Sequence, residues 1–211
     1  MRLVASTLGI LVGLAGIEHG LFELLQGNVA PASTMIAAIG PAQRFWEYGI
    51  ERALTVVPSF TVTGILAIVM GLLVAIWAAS FLHTMRGASV LLALSIGLFL
   101  VGGGFAPIFM AIVASAAATG IDKPLAWWRA RLTGKVRRFL ASLWPSSLIA
   151  FVVVFLCSVE IAIFGYPLVS LIGADLTYAV QSALAFMMLG LMVLCVLAAL
   201  SRDIEGQSEA A

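Results

Sequence analysis

The chain has 211 residues, of which 63% are apolar and only 10% are charged, and its formal net charge is +1. A soluble domain of this length carries about 25% charged residues, so these values, with a mean hydropathy of +1.15, exclude an ordinary soluble protein. They predict an all-α integral membrane protein, because uncharged stretches of about 18 or more residues indicate transmembrane helices.

Five apolar segments are long enough to be transmembrane helices. They lie at about 3–25, 59–82, 88–119, 147–172 and 176–200. We expect them to form one compact helical bundle over residues 1–200, followed by a disordered tail at 201–211. A cleaved signal peptide is a poorer interpretation of the first segment, because no small-residue cleavage pattern ends it.

The first segment ends in a polar stripe within GLAGIEHGLFELLQGN, residues 13–28. On a helix, Glu18, His19, Glu23 and Gln26 share an arc of about 140°. This stripe is either a wet helix end or a group that handles protons or cations. Beside it lies a second stripe of glycines, which we interpret as a surface for close helix packing. Its members include Gly9, Gly13, Gly16 and Gly20.

Residues 42–57 place polar and apolar side chains on opposite faces, which predicts an amphipathic helix at the membrane interface. Glu47 and Glu51 lie one turn apart on its polar face, and His19 and Glu23 have the same spacing on the first span. These four side chains are the candidate ligands for a metal ion. The HExxH pattern of zinc sites is absent, and no other cofactor is expected.

The third segment, 88–119, is too long for a simple span, since it would form a helix of about 46 Å against a core of about 30 Å. Its middle reads GGGFAP, and the residues predicted to break the helix are Gly102, Gly103, Gly104 and Pro107. A kinked span gives five spans, which we favour. A re-entrant hairpin of two half-helices, the alternative, gives four. Broken helices of this kind hold ions in transporters.

The loop 121–146 is strongly basic and predicts a cytoplasmic location for itself and for the C-terminus, in the cytoplasmic membrane of a prokaryote. Its part at about 126–144 is a second candidate for an amphipathic interfacial helix. We expect anionic lipid headgroups, and not nucleic acid, to contact its basic face. The residues of that face are Arg129, Arg131, Lys135, Arg137 and Arg138.

Glu160 lies midway along the fourth segment, where an ionised carboxylate costs about 2.5–3.5 kcal/mol to insert. A carboxyl group at that depth generally faces the bundle interior or a water-filled cavity. Its candidate partners are His19, Thr61, Thr63, Tyr178 and Gln181.

These features favour a small membrane protein that binds or conducts a proton, a cation or a small polar solute. The predicted site consists of Glu18, His19, Glu23, Glu51 and Glu160. Two alternatives stay open: a metal-dependent intramembrane enzyme, and an accessory subunit whose glycines bind a partner helix or a second copy of the chain. We expect no catalysis, because motifs such as GxSxG are absent from the sequence.

Overall fold

The computed structural model describes residues 1–209 and shows a helical bundle with one small antiparallel sheet. The helices are α1 (Arg2–Leu25), α2 (Phe60–Ser80), α3 (Gly87–Leu100), α4 (Phe105–Ala118), α5 (Ala126–Arg131), α6 (Gly134–Ser142), α7 (Ser146–Phe164), α8 (Leu168–Ile172) and α9 (Ala174–Glu209). The strands are β1 (Met35–Ala37) and β2 (Arg52–Leu54), paired so that Ile36 faces Ala53.

Four helices, α1, α2, α7 and α9, are long and apolar enough to cross a membrane. The prediction of a helical bundle with several apolar helices of membrane-spanning length is therefore confirmed. The apolar helices α3 and α4 have 14 residues each, which corresponds to about 21 Å and is shorter than a typical hydrocarbon core.

Both ends of the chain lie at one end of the bundle, because the Met1 ammonium group contacts the Asp203 carboxylate at 2.7 Å. We call this the basal end and the opposite one the distal end. An odd number of crossings would separate the two termini, so the favoured five-span arrangement does not agree with this contact. The alternative with four long helices and a hairpin does agree.

The predicted packing role of the α1 glycines is confirmed by the contact between α1 and α2. A Cβ atom on Gly13 would lie 2.5 Å from the Gly71 carbonyl oxygen, and one on Gly20 would lie 2.6 Å from the Gly64 carbonyl oxygen. Such distances leave no space for a side chain. The two backbones therefore touch directly along the helices, as small residues at four-residue spacing allow.

The third segment is broken and forms a hairpin, but the break ends at Gly104, and Pro107, predicted to be part of it, lies within α4. Residues 101–104 separate α3 from α4, and Gly102 and Gly104 adopt φ values of +106° and +82°, which favour glycine. Gly102 N–H donates to the Leu54 carbonyl of β2 at 2.9 Å. Pro107 lies in the first turn of α4, where its missing N–H costs nothing.

The helix predicted over 42–57 does not form, and residues 38–51 run instead as turns ahead of β2. We call residues 38–51 the cap loop. Tertiary hydrogen bonds outweigh the local helical pattern here. The Gln26 side-chain amide donates to the Ala37 and Ala38 carbonyls, and Trp46 Nε1 donates to the Ala162 carbonyl.

Three other boundaries differ from the prediction. The amphipathic segment at about 126–144 is two short helices, α5 and α6, with an extended residue at Leu132 between them. The fourth segment ends at Phe164, where Gly165 has φ +64°, and α8 follows separately. Residues 201–209 continue α9 because Asp203 and Glu205 pair with Met1 and Arg137. Residues 210 and 211 of the predicted tail lie outside the described residues.

Substitution of Gly13 by alanine should destabilise the bundle, because the new methyl group would overlap the Gly71 carbonyl. Overpacking of this kind costs about 1–3 kcal/mol. Gly190→Ala is the matched control: Gly190 lies in α9 with nothing near its Cβ position, so alanine should stabilise α9 by up to about 1 kcal/mol. Thermal unfolding in detergent measures both variants. Equal unfolding midpoints for the two variants would contradict the direct backbone contact between α1 and α2.

Candidate functional site

A cavity of about 190 Å³ lies near the distal end, between α1, α4, α7, α9 and the cap loop. Its polar lining consists of Glu18, His19, Glu51, Ser158 and Gln181. The rest of the lining is apolar and includes Phe155, Val159 and Met188. Two helices far apart in sequence, α1 and α9, thus contribute polar groups to one cavity.

His19 lies between two carboxyl groups. Its Nε2 atom is 3.9 Å from Glu18 Oε2 and 3.8 Å from Glu51 Oε2. Both distances are longer than a hydrogen bond, and only 3% of the His19 side chain is exposed. The imidazole is therefore held close to two acids without being hydrogen-bonded to either.

Glu23, one turn after His19, lies fully buried against the α3–α4 break. A Cβ atom on Gly102 would collide with the Glu23 carboxyl group, and one on Gly104 would lie 2.7 Å from His19 Nε2. The glycines of the break therefore leave the space that these two side chains occupy. Sequence reasoning identified the break but not this purpose for it.

Several buried polar atoms around the cavity have no hydrogen-bond partner within residues 1–209. They are Glu18 Oε1, His19 Nδ1, both carboxyl oxygens of Glu23, and Gln181 Oε1. All except His19 Nδ1 can only accept when the carboxyl groups are ionised. Among the residues that the structure describes, no Lys or Arg lines the cavity. The site is thus complementary to a species that is positively charged or rich in hydrogen-bond donors.

The cap loop delivers Glu51 to the cavity and is anchored at several points. Trp46 Nε1 donates to the Ala162 carbonyl at 3.0 Å, and the Tyr48 hydroxyl donates to Asp175 Oδ1 at 2.6 Å. The hydrogen bond to Asp175 is the main reason that the pKa of Tyr48 rises to about 12. These contacts tie the loop to the distal ends of α7 and α9.

Glu51 itself has φ +38°, in the left-handed region that side chains rarely adopt. Backbone strain of this type costs about 1–3 kcal/mol and concentrates at functional sites. The Glu51 carbonyl accepts a hydrogen bond from Ala38 N–H at 2.8 Å, which holds the strained conformation. The Glu51 side chain keeps 32% of its surface exposed while it lines the cavity, and burial raises its pKa above the usual value of 4.5.

Not all predicted site residues converge. Glu160 lies one turn before the end of α7, not at mid-span, in a separate groove with Cys157 and Pro167. Its candidate partners bond elsewhere: Thr63 donates to the Val101 carbonyl, and the Gln181 amide donates to Ser158 Oγ at 3.0 Å. Glu18, His19 and Glu51 therefore meet around the cavity without Glu160.

The ligand set predicted for a metal ion is not assembled. Glu47 is exposed on the cap loop, and it does not line the cavity that Glu51 and His19 share. Among the residues that the structure describes, no group of three or more His, Cys, Asp or Glu side chains is placed to hold a metal ion.

Gln181 and Ser158 line the cavity, although the sequence did not predict either as a site residue. The sequence indicated Gln181 only as a candidate partner of Glu160. A sequence signal for it exists, because it is the single amide side chain in the apolar run of α9. Ser158 has no comparable signal, since isolated serines are common in membrane helices.

The sequence matches no protein family model, no curated protein and no solved structure. The function is therefore inferred from the cavity and its surroundings.

Gly104→Ala should displace His19 as well as strain the backbone. Gly173→Ala is the matched control, because Gly173 has a nearly identical φ of +81° but nothing near its Cβ position. We expect Gly104→Ala to lower the unfolding midpoint more than the control. Most of the difference should vanish when both glycine variants are made in a His19→Ala background. A difference that persists there would contradict the contact with His19.

Glu51→Gln should make stability less dependent on pH. Because the pKa of Glu51 is raised by burial, the folded protein holds this proton at pH values where the unfolded chain releases it. The contribution of Glu51 to the free energy of unfolding therefore falls as pH rises from about 4.5 through the raised pKa. Glu51→Gln should unfold at a higher temperature than wild type at pH 8 and match it near pH 4.5. Glu47→Gln, at an exposed position, should leave the pH profile unchanged.

Proposed function

We propose that the protein is a membrane protein that binds a proton or a small cation in the cavity between α1, α4, α7 and α9. The observation that carries the proposal is the convergence of Glu18, His19 and Glu51 on one cavity that no described Lys or Arg side chain lines. Glu23, which is fully buried one turn after His19, adds a third carboxyl group.

The energetics favour an exchangeable positive charge. Burying an ionised carboxylate without a partner costs several kcal/mol, and here three carboxyl groups are gathered together. Each proton or cation that enters the cavity offsets part of that cost. A small cavity with several carboxyl groups therefore favours the binding of positive charge. Gln181 and Ser158 add neutral oxygen atoms to its lining.

For the orientation, we propose that the basal end is cytoplasmic. The six basic residues of the loop between α4 and α7 lie there, together with both termini, and positive charge is retained on the cytoplasmic side. The exposed basic face of α5 and α6 would then contact anionic headgroups of the inner leaflet. The cavity would lie near the outer face of the membrane.

The accessory-subunit alternative loses its main support. The glycines that would bind a partner helix pack inside the chain: Gly13 and Gly20 against α2, and Gly16 against Leu98 of α3. The enzyme alternative rested on a four-residue ligand set that the fold does not bring together.

Cation binding is tested by unfolding the purified protein in detergent at pH 8 and constant ionic strength. A cation that binds only the folded state raises the unfolding midpoint. We expect methylammonium, sodium or potassium chloride to stabilise the wild type over the choline salt. Glu18→Gln combined with Glu51→Gln should abolish the effect, and Glu160→Gln, which changes a carboxyl group outside the cavity, should retain it.

Proton binding is tested in parallel by the protons that the folded protein takes up when it is titrated downward from pH 8, and by pH-dye measurements in liposomes under an imposed potential. The double variant should take up fewer protons than Glu160→Gln. If no cation stabilises the wild type more than the double variant, and proton uptake is equal in all variants, the proposed function is wrong.

A further inference from the structure

The cavity continues sideways into an apolar groove between α4 and α9. The two spaces share Ala106, Ala185 and Met188, and the groove extends past Phe109 to Met192 with a volume of about 260 Å³. Its lining is almost wholly apolar. A molecule that occupied both spaces would therefore have its polar end in the cavity and its apolar end in the groove.

The groove opens toward lipid. α4 packs on α1 and α3, and α9 packs on α6, α7 and α8, whereas α4 and α9 make few contacts with each other. Phe109 and Leu189 on its rims are 60% and 47% exposed. In a membrane these side chains face hydrocarbon, so the gap between the two helices is a lateral entrance.

The polar end of such a molecule is defined by the atoms that it must meet. Glu18 Oε1 and Gln181 Oε1 are buried, accept hydrogen bonds and have no partner within the described residues. His19 is nine-tenths buried or more, and its Nδ1 atom is unpaired. A primary ammonium group fits this lining, because it carries one positive charge and three donors and no acceptor.

We propose that the cavity binds the ammonium head of a long-chain amine that enters from the lipid phase, with its alkyl chain in the groove between α4 and α9. This inference rests on the cation-binding function proposed above and names its substrate class. A phospholipid headgroup does not fit, because its phosphate would lie against Glu18 and Glu51. An uncharged alcohol of the same length would leave the carboxyl groups without a counter-charge.

The alkyl chain of the amine should contribute strongly to the affinity that is measured against amine dissolved in water, whichever route the amine takes to the groove. A buried methylene group adds about 0.8 kcal/mol, which corresponds to up to about a fourfold gain in affinity for each carbon that enters the groove. Methylamine should therefore bind weakly, and an amine long enough to reach from Ala185 to Met192, about 10 Å along α9, should bind far more tightly.

The test compares decylamine, decanol and methylamine as stabilisers of the detergent-solubilised protein at pH 8. Leu189→Trp fills the groove without touching the cavity, and Leu176→Trp makes the same change at an exposed position of α9 that lines neither space. Comparing variants at one ligand concentration cancels partition of the ligand into micelles. We expect decylamine to stabilise the wild type and Leu176→Trp more than the other two compounds do.

Leu189→Trp should lose the advantage of decylamine over methylamine while it keeps its response to methylamine, because Leu189 lines the groove and not the cavity. Phe109→Trp, which narrows the groove from the α4 side, should behave in the same way and serves if Leu189→Trp unfolds.

Three outcomes would overturn the inference. Equal stabilisation by methylamine and decylamine would leave cation binding standing without a long-chain ligand. Equal stabilisation by decanol and decylamine would reduce the groove to a non-specific apolar surface. No response to either amine, together with no response to inorganic cations, would remove the proposed function as well.

Discussion

The close approach of a glycine backbone to the polar stripe of α1 is the constraint on which the rest of the molecule depends. His19 and Glu23 are fully buried, and the volume that they occupy is left free by Gly104 and Gly102 of the α3–α4 break. Any larger residue at either glycine would force an acid or the imidazole out of the bundle. The break therefore lies level with His19 and Glu23 of α1, where these two side chains need space.

The same constraint arranges the surrounding elements. The extended backbone at the break is paired with β2, since Thr55 bridges to Val101 and Leu54 accepts from Gly102 N–H. The Thr63 hydroxyl donates to the Val101 carbonyl and lies 2.6 Å from the Thr55 hydroxyl. The sheet thus satisfies backbone groups that a continuous helix would have satisfied internally, as burial in an apolar bundle requires. The strand β2 also begins directly after Glu51. The same short segment therefore pairs with the backbone of the break and positions the Glu51 carboxyl group.

Features set by local chemistry could be predicted from the sequence, and features set by tertiary contacts could not. The apolar runs and the GGGFAP break are local, and so is the glycine stripe of α1, whose spacing directly defines a packing face. The segment 42–57 has a helical pattern, yet Trp46 donates a hydrogen bond to α7 and Glu51 lies 3.8 Å from His19 of α1, and both contacts join residues far apart in sequence. The loop, and not the predicted helix, brings Glu51 to His19. Glu160 was expected in the site, but it lies near the end of α7 and faces a separate groove. Gln181 was expected only as its partner, but it lines the cavity.

The length of α9 has a mechanical consequence. Its 36 residues correspond to about 54 Å, far more than a membrane core of about 30 Å, and it is stiff over that distance. Its distal half forms one edge of the lateral gap beside α4, while its basal half is clamped by Met1 and by the ion pair between Arg137 and Glu205. A tilt of α9 that widened the gap beside α4 would also strain the two ion pairs at its basal end, because one continuous helix joins the gap to those contacts.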